Sequence, residues 1–430
     1  MKKNLAQWLS WQESLHTSTI DLGLDRIRQV AKRMNLLQPD FPLITVAGTN
    51  GKGSTVALLD SILQAAGYQV GTYTSPHILR YNERITLNGC PADDESICAA
   101  FAAIDKARGD ISLTYFEFGT LAAMWLFQRA GLDVVVLEVG LGGRLDAANL
   151  WDAEVAIVTR IGIDHVAWLG DNREMIGREK AAIARSGKAL ICGDPAPPAS
   201  IAKVAAEVNA RYLQYGVDFF VQHRQASPQR FSLHYPAMTA HKRSQQLLWR
   251  DLPLPALPGA VQLLNAACAL SALYQLRETL PVSRRALEQG LCNVHLPGRL
   301  QKLSSDPDIL LDVAHNPQAA TQLADWLQKN PTDGRTYVLF SVLSDKDING
   351  IIAALSEVVD EWHFFPLEDQ RAMPLYAMQA AMDEQHISMA VSHESLKQAR
   401  QALEPQLNRT DRVVVFGSFL VVSNMLESLP

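Results

Sequence analysis

The sequence predicts an α/β protein of two unequal domains, the larger N-terminal one built on a mainly parallel sheet. Three observations carry that expectation. Leu43 to Ala47 is an apolar run that stops at Gly48; a glycine-rich loop follows, and Val56, Leu58, Leu59, Ile62 and Leu63 then recur at helical spacing up to Gly67. Asp133 to Val139 is apolar but for its acids, as strands covered on both faces are. A fresh strand, turn and helix open at Ile309, beyond the Pro297-Gly298 break. At 430 residues, two or three domains are expected.

Taken in order, residues 1–40 predict two helices around a loop at Thr19, Ile20, Asp21 and Leu22, with Ile27, Val30, Ala31 and Met34 on one face of the second. The loop Gly48-Thr49-Asn50-Gly51-Lys52-Gly53-Ser54-Thr55 is suited to phosphate. Its glycines let backbone N–H groups approach phosphate oxygens, and the helix start adds a positive dipole end. Lys52 would reach the β/γ-phosphates, and Ser54 or Thr55 offers a hydroxyl to Mg²⁺. The loop departs from the strict G-x-x-x-x-G-K-[ST] pattern, because the first glycine would fall on Val46 and Gly53 follows Lys52. It still makes the N-terminal domain P-loop ATPase-like.

A short strand, Val70 to Tyr73, runs into Thr74-Ser75-Pro76-His77, where Ser75 sits at a strand end. Residues 95–108 and 116–131 read as helices; aromatics flank Thr114 and Glu117 between them, as a core or a flat aromatic ligand requires. Glu138 is costly to bury near the end of its strand unless paired or bound to a metal. Val155 to Val158 leads to Asp164-His165, at the sheet edge where open α/β folds bind ligands. Arg178 to Ala184 is helical. Residues 212–250 read as short strands and loops, and Asn265 opens a helix. The boundary falls at 294–300, giving domains 1–296 and 297–430. The second is Rossmann-like, with strands at Ile309–Ala314, Tyr337–Val342, Trp362–Phe365 and Val413–Phe416.

Composition excludes several classes. Apolar residues make up 48% and charged residues 20%, and the formal charge is −6, so no electrostatic footprint for nucleic acid exists. No stretch approaches the ~20 apolar residues of a membrane span, and MKKNLAQWLSWQESLH is not a secretory signal. Five scattered cysteines without metal spacing fit reduced thiols in a cytoplasm.

The motifs TIDLGLDR (19–26), GTNGKGST (48–55), TSPH (74–77), TYFEFGTL (114–121), LEVGLGGRLDAAN (137–149), DH (164–165), REKA (178–181), LPGR (296–299) and DVAHNP (312–317) occur in one order along the chain. Together they resemble the bacterial bifunctional dihydrofolate synthase/folylpolyglutamate synthases of the Mur ligase superfamily. The resemblance implies an ATP-dependent ligase joining L-glutamate to dihydropteroate and to reduced folates through an acyl phosphate. It implies ATP contacts from Thr49 to Ser54 and from Asn265, Arg299 and Asp312, with ATP in the cleft between domains. It implies Mg²⁺, as two ions, on Ser75, Glu138 and His165. The pterin or folate falls to Thr19–Leu22, to Thr114, Tyr115, Phe116 and Glu117, and to Leu145, Asp146 and Ala147. His315 is expected where glutamate meets the acyl phosphate, and Lys180 as a carbamylated lysine. A monomer is expected. A monofunctional folylpolyglutamate synthase, a Mur-type amino-acid ligase, a P-loop kinase or switch, and a non-catalytic nucleotide binder are the alternatives.

Overall fold

The computed structural model describes residues 3–16, 18, 20–224, 229–239 and 242–429. Helices α1 (Leu5–Leu15) and α2 (Asp25–Arg33) precede the first strand, and α2 buries Ile27, Val30 and Ala31 as its periodicity requires. Strand β1 (Leu43–Ala47) is buried along its whole length and feeds α3 (Lys52–Ala65) through the glycine-rich loop. Then come β2 (Val70–Tyr73), β3 (Ile85–Leu87), β4 (Cys90–Pro91), α4 (Asp94–Arg108), α5 (Tyr115–Phe127), β5 (Val134–Glu138) and β6 (Val155–Val158). Helices α6 (Val166–Leu169) and α7 (Arg173–Ala181), strand β7 (Ala189–Cys192), α8 (Ala199–Glu207) and β8 (Arg211–Gln214) complete the unit.

These strands make one eight-stranded sheet in the order β4-β3-β2-β5-β1-β6-β7-β8. Neighbours from β2 to β8 pair in parallel, while β3 and β4 return antiparallel at one edge. Parallel strands with apolar residues on both faces need cover on both, and two separate apolar clusters supply it. Strand β1 lies between β5 and β6, with Val46 beside Glu138 on one side and Ile157 on the other. The loops after β1, β2, β5 and β6 therefore emerge at one sheet end, as crossover topology demands.

A three-stranded antiparallel sheet follows, β9 (Phe220–Arg224), β10 (Arg230–Thr239) and β11 (Lys242–Pro253). This corrects the expectation of short strands and loops over 212–250. Phe231, Leu233 and Tyr235 alternate inward at period two, a pattern masked in the sequence by the basic residues around it. Helices α9 (Val261–Gln275) and α10 (Arg284–Asn293) pack against α3.

The C-terminal unit has its own sheet and cores. Its elements are β12 (Gln301–Ser305), β13 (Asp308–Leu311), α11 (Pro317–Lys329), β14 (Thr336–Phe340), β15 (Glu361–Phe364), β16 (Ala390–Ser392) and β17 (Arg412–Phe416), with further helices between the later strands. The order is β12-β13-β17-β14-β15-β16, parallel except for β12 at the edge. The edge strands β12, which is mostly polar, and β16, which is only three residues long, are not among the strands expected from the sequence. Helix bounds shift elsewhere too. Helix α5 ends at Phe127 rather than 131, α7 begins at Arg173, and α9 begins at Val261, so Asn265 sits one turn inside its helix and does not open it.

Candidate active site

A cavity of about 1440 Å³ runs between the N-terminal sheet end and the C-terminal unit. The glycine-rich loop forms its floor. Gly48 and Gly51 hold φ of 151° and 95°, and a Cβ on Gly48 would stand 1.8 Å from Thr159 Oγ1, so only glycine fits there. Thr49 N donates to Arg160 O at 2.7 Å and Thr49 Oγ1 to Gly162 O at 3.0 Å, tying the loop to the segment after β6. Lys52 Nζ turns back on the loop, donating to the carbonyls of Gly48 at 3.1 Å and Thr49 at 3.4 Å. Ser54 is buried at the first turn of α3, where free N–H groups and the dipole end favour anions.

Two of the three expected nucleotide contacts stand against this loop, and the third, Asp312, holds the segment that carries Arg299. Asn265 Oδ1 would lie 2.5 Å from a Cβ on Gly51. Arg299 Nη2 and Glu138 Oε2 stand 3.7 and 3.8 Å from the corresponding point on Gly53. Asp312 accepts from Leu300 N at 2.9 Å and Ala314 N at 2.8 Å, which fixes the loop carrying Arg299. Burial raises the Asp312 carboxyl, and the Arg299 charge pulls it back down.

Glu138 is only 4% exposed and takes one hydrogen bond, from Ser75 N at 3.2 Å. Burial pushes its carboxyl up, against Lys52, the Ser75 N–H, Arg299 and Arg84, which favour the anion. A buried carboxylate with so few partners, beside a serine at a strand end, is a donor set of hard oxygens that suits Mg²⁺. His165, held at φ 52° just past β6, is pushed down to about 4 by burial, so it stays a neutral ring able to ligate. Its closest acidic group is not Glu138: Asp164, His165 and Asp345 bring ligand atoms within 4.8 Å of one another.

Of the residues expected to hold the pterin, Thr19 lies outside the described residues. Ile20, Asp21, Leu22, Thr114, Tyr115, Phe116, Glu117, Leu145, Asp146 and Ala147 all line the cavity. Thr114 caps α5, its Oγ1 accepting from Glu117 N at 3.2 Å while Thr114 N donates to Glu117 Oε2 at 2.8 Å. Asp21 accepts from Arg26 Nη1 at 2.6 Å and pairs with His16 Nε2 at 3.0 Å. Phe116 packs on Tyr73 with centroids 5.6 Å apart. Asp146 is buried and pushed up to about 6, with Leu141 N and Ala148 N donating to it.

Lys180 lies near the end of α7, 5% exposed and lining the same cavity. Burial and the Lys52 charge bring it down to about 7.

The C-terminal wall holds residues that sequence reasoning left without a role. Lys346, 6% exposed at its side chain, donates to Asp164 Oδ1 at 2.6 Å across the cleft. Asn316 Nδ2 reaches Asp164 Oδ2 at 3.2 Å, and His315 Nε2 lies 3.4 Å from the same oxygen. Burial opposes the Asp164 charge, yet His315, His165 and Lys346 hold the carboxyl well below the usual range. Asn50 Nδ2 adds hydrogen bonds to Asn316 Oδ1 at 3.1 Å and Gln318 Oε1 at 2.8 Å. The signal for Lys346 was its place in Ser344-Asp345-Lys346-Asp347, just past a parallel strand, but an acid-flanked lysine reads equally as a solvated turn.

Two family descriptions match the chain, the Mur ligase middle domain over residues 46–273 and the Mur ligase glutamate ligase domain over 298–419. The Escherichia coli (strain K12) dihydrofolate synthase/folylpolyglutamate synthase is 46% identical over 426 residues, 98% of this chain and 95% of that protein. This chain belongs to that family of Mur ligases. It is an ATP-dependent ligase that forms an amide bond to glutamate and depends on a divalent cation. Two solved structures overlay closely. Escherichia coli FolC in complex with DHPP and ADP gives a TM-score of 0.90 at 45% identity, over 99% of this chain and 97% of that one. A bifunctional folylpolyglutamate synthase/dihydrofolate synthase with Mn, AMPPNP and L-glutamate bound gives 0.88 at 43%, over 99% and 98%. Among the described residues no helix is long and apolar enough to cross a membrane, and all five cysteines are free thiols.

Proposed function

We propose that one site joins L-glutamate to dihydropteroate, giving dihydrofolate, and to reduced folates, giving folylpolyglutamates. The observation that supports this reading is the single cavity on which the glycine-rich loop, the Thr114–Glu117 turn and the C-terminal wall converge. A carboxylate is a poor electrophile, so its oxygen first takes the γ-phosphoryl group of ATP and ADP leaves. The glutamate amine then attacks the acyl carbon and phosphate leaves. Lys52 and Arg299 neutralise the nucleotide's charge, and the amides of Thr49 to Ser54, Asn265 and Asp312 hold it in place. Ser75, Glu138 and His165 would hold Mg²⁺, as two ions, which would supply charge neutralisation on the phosphates. Ile20, Asp21, Leu22, Tyr115, Phe116, Leu145 and Ala147 enclose the pterin, together with Thr19. His315 stands where the amine arrives. Lys180 in its neutral form adds CO₂, losing one proton, and the resulting carbamate orients the metal's surroundings.

Domains 1–296 and 297–430 act as the two jaws of a monomeric, cytoplasmic enzyme without nucleic-acid partners. ATP turnover assayed with dihydropteroate or tetrahydrofolate, each with and without glutamate, tests the reading. Full turnover requires both co-substrates. Turnover with tetrahydrofolate alone of the two acceptors would make the chain monofunctional.

A further inference from the structure

One cavity cation has donors that nothing in the foregoing scheme uses. Arg84 ends the short helical turn Tyr81–Arg84 and lines the cavity. Its Nε donates to His77 Nδ1 at 2.8 Å, and its guanidinium carbon lies 5.4 Å from the ring centroids of both Tyr81 and Tyr115. Among the described residues, no other hydrogen bond and no ion pair is made by this guanidinium. Of the other arginines near these walls, Arg26 bonds Asp21 and Arg299 the Gly298 carbonyl, while Arg160, whose guanidinium has no partner among the described residues, is bridged through its backbone to Asn50 at the phosphate-loop end.

Position gives those free donors a purpose. The Arg84 carbonyl accepts from Thr74 N at 2.9 Å, next to Ser75, and its guanidinium lies over the Tyr115 ring on the pterin wall. It therefore stands between the ring-binding end and the phosphoryl-transfer end of the cavity. A substrate with its ring on Thr114–Glu117 must pass its carboxylate through that interval to reach ATP. We propose that Arg84 binds the substrate carboxylate that becomes phosphorylated, through a two-pronged contact from its terminal NH₂ groups. This rests on the ligase reading above. A planar fork matches a carboxylate in shape and charge, and it fixes which oxygen faces the γ-phosphorus. Arg84 gives up no proton. The carboxylate oxygen forms the new P–O bond, the bond to ADP breaks, and the guanidinium stays on the acyl oxygen as charge shifts. His77 is the positioning residue. Its Nδ1 accepts from Arg84 Nε at 2.8 Å and so fixes the direction of the fork.

The test is calorimetric titration of the full chain, without ATP, with dihydropteroate and with its primary carboxamide. Wild type is expected to favour the acid by on the order of 10- to 100-fold, the range of a lost charge-assisted contact. Arg84→Gln should bind both ligands with nearly the affinity wild type shows for the amide, and Arg84→Lys should fall between. ADP affinity should be the same in all three. Survival of the acid preference in Arg84→Gln, or an equal loss for acid and amide, would overturn the proposal. So would a fall in ADP affinity with the acid preference intact. If Arg84→Gln does not fold, an undiminished preference in Arg84→Lys, which keeps the charge but not the fork, is the overturning result. Failure of wild type to bind either ligand would instead overturn the ligase reading, and this proposal with it.

Discussion

The two walls of the cleft do different work with similar architecture. Each is the end of a parallel sheet, and each presents a loop followed by a helix. The loop after β1 is rich in glycine, lines the cavity and leads into the N-terminus of α3. The loop after β13 carries Asp312, His315 and Asn316, and its acid and amide accept backbone N–H groups of their own domain. Backbone donors bind any phosphate, while side chains choose. On the proposed reading the N-terminal wall serves phosphoryl transfer and the C-terminal wall the incoming amine, and the C-terminal wall holds Asp164 across the gap.

The largest expected effect breaks the N-terminal wall. Glu138→Gln keeps the shape and removes the charge, and kcat should fall by at least about 10³-fold, the scale of losing a group that stabilises transition-state charge. Normal turnover at limiting Mg²⁺ would refute the assignment. Next comes Lys180→Ala, which should lose most activity, with partial recovery on adding acetate. The pH dependence has a definite sign. The amine is protonated below about 7 and neutral above it, and only the neutral amine adds CO₂. Activity at limiting bicarbonate should therefore rise with pH through that value in wild type and stay flat in the alanine variant. Full activity of Lys180→Ala in CO₂-depleted buffer would remove the carbamate from the scheme.

The C-terminal wall should give a smaller loss of a different kind. Lys346→Met leaves Asp164 with His315 and Asn316 but removes its closest cation. Truncating one partner of a buried pair costs about 2–5 kcal/mol where two surfaces meet. The loss should appear as a raised KM for glutamate, with nucleotide affinity little changed. A fall in ADP affinity as large as the rise in glutamate KM would erase the distinction between the walls.

That distinction also marks how far the sequence could be read. The phosphate loop was legible because its signal is local: strand, glycines, lysine and helix lie within some twenty consecutive residues. Glu138 was legible as a lone acid in an apolar strand. Lys346 and the Asn50–Asn316 contact were not, since their meaning arises only when residues from separate domains meet. Strands β12 and β16 escaped for another reason. Strand β12 has one apolar residue in five and β16 is only three residues long, so neither shows the pattern that marks a core strand. Asn265 stands beside Gly51, but from one turn inside its helix and not from the helix start the sequence suggested.

The smallest effect tests whether one wall serves both acceptors. Thr114 is the N-cap of α5, and its exchange of hydrogen bonds with Glu117 fixes the turn that carries Tyr115 and Phe116. Burial raises the Glu117 carboxyl, against the Thr114 N–H and the Arg26 charge, so the cap holds an acid that would otherwise tend to protonate. Thr114→Ala should cost about 1 kcal/mol of folding stability, as lost caps do, measured by denaturant midpoint. It loosens the turn without touching the phosphate loop or the C-terminal wall. If dihydropteroate and tetrahydrofolate share this turn, their KM values should rise by the same factor, while the KM for ATP stays put. Thr114→Ser, which keeps the capping oxygen, should restore both together. Factors that diverge between the two acceptors would mean that the rings are held by different residues, and that the N-terminal wall is two sites rather than one.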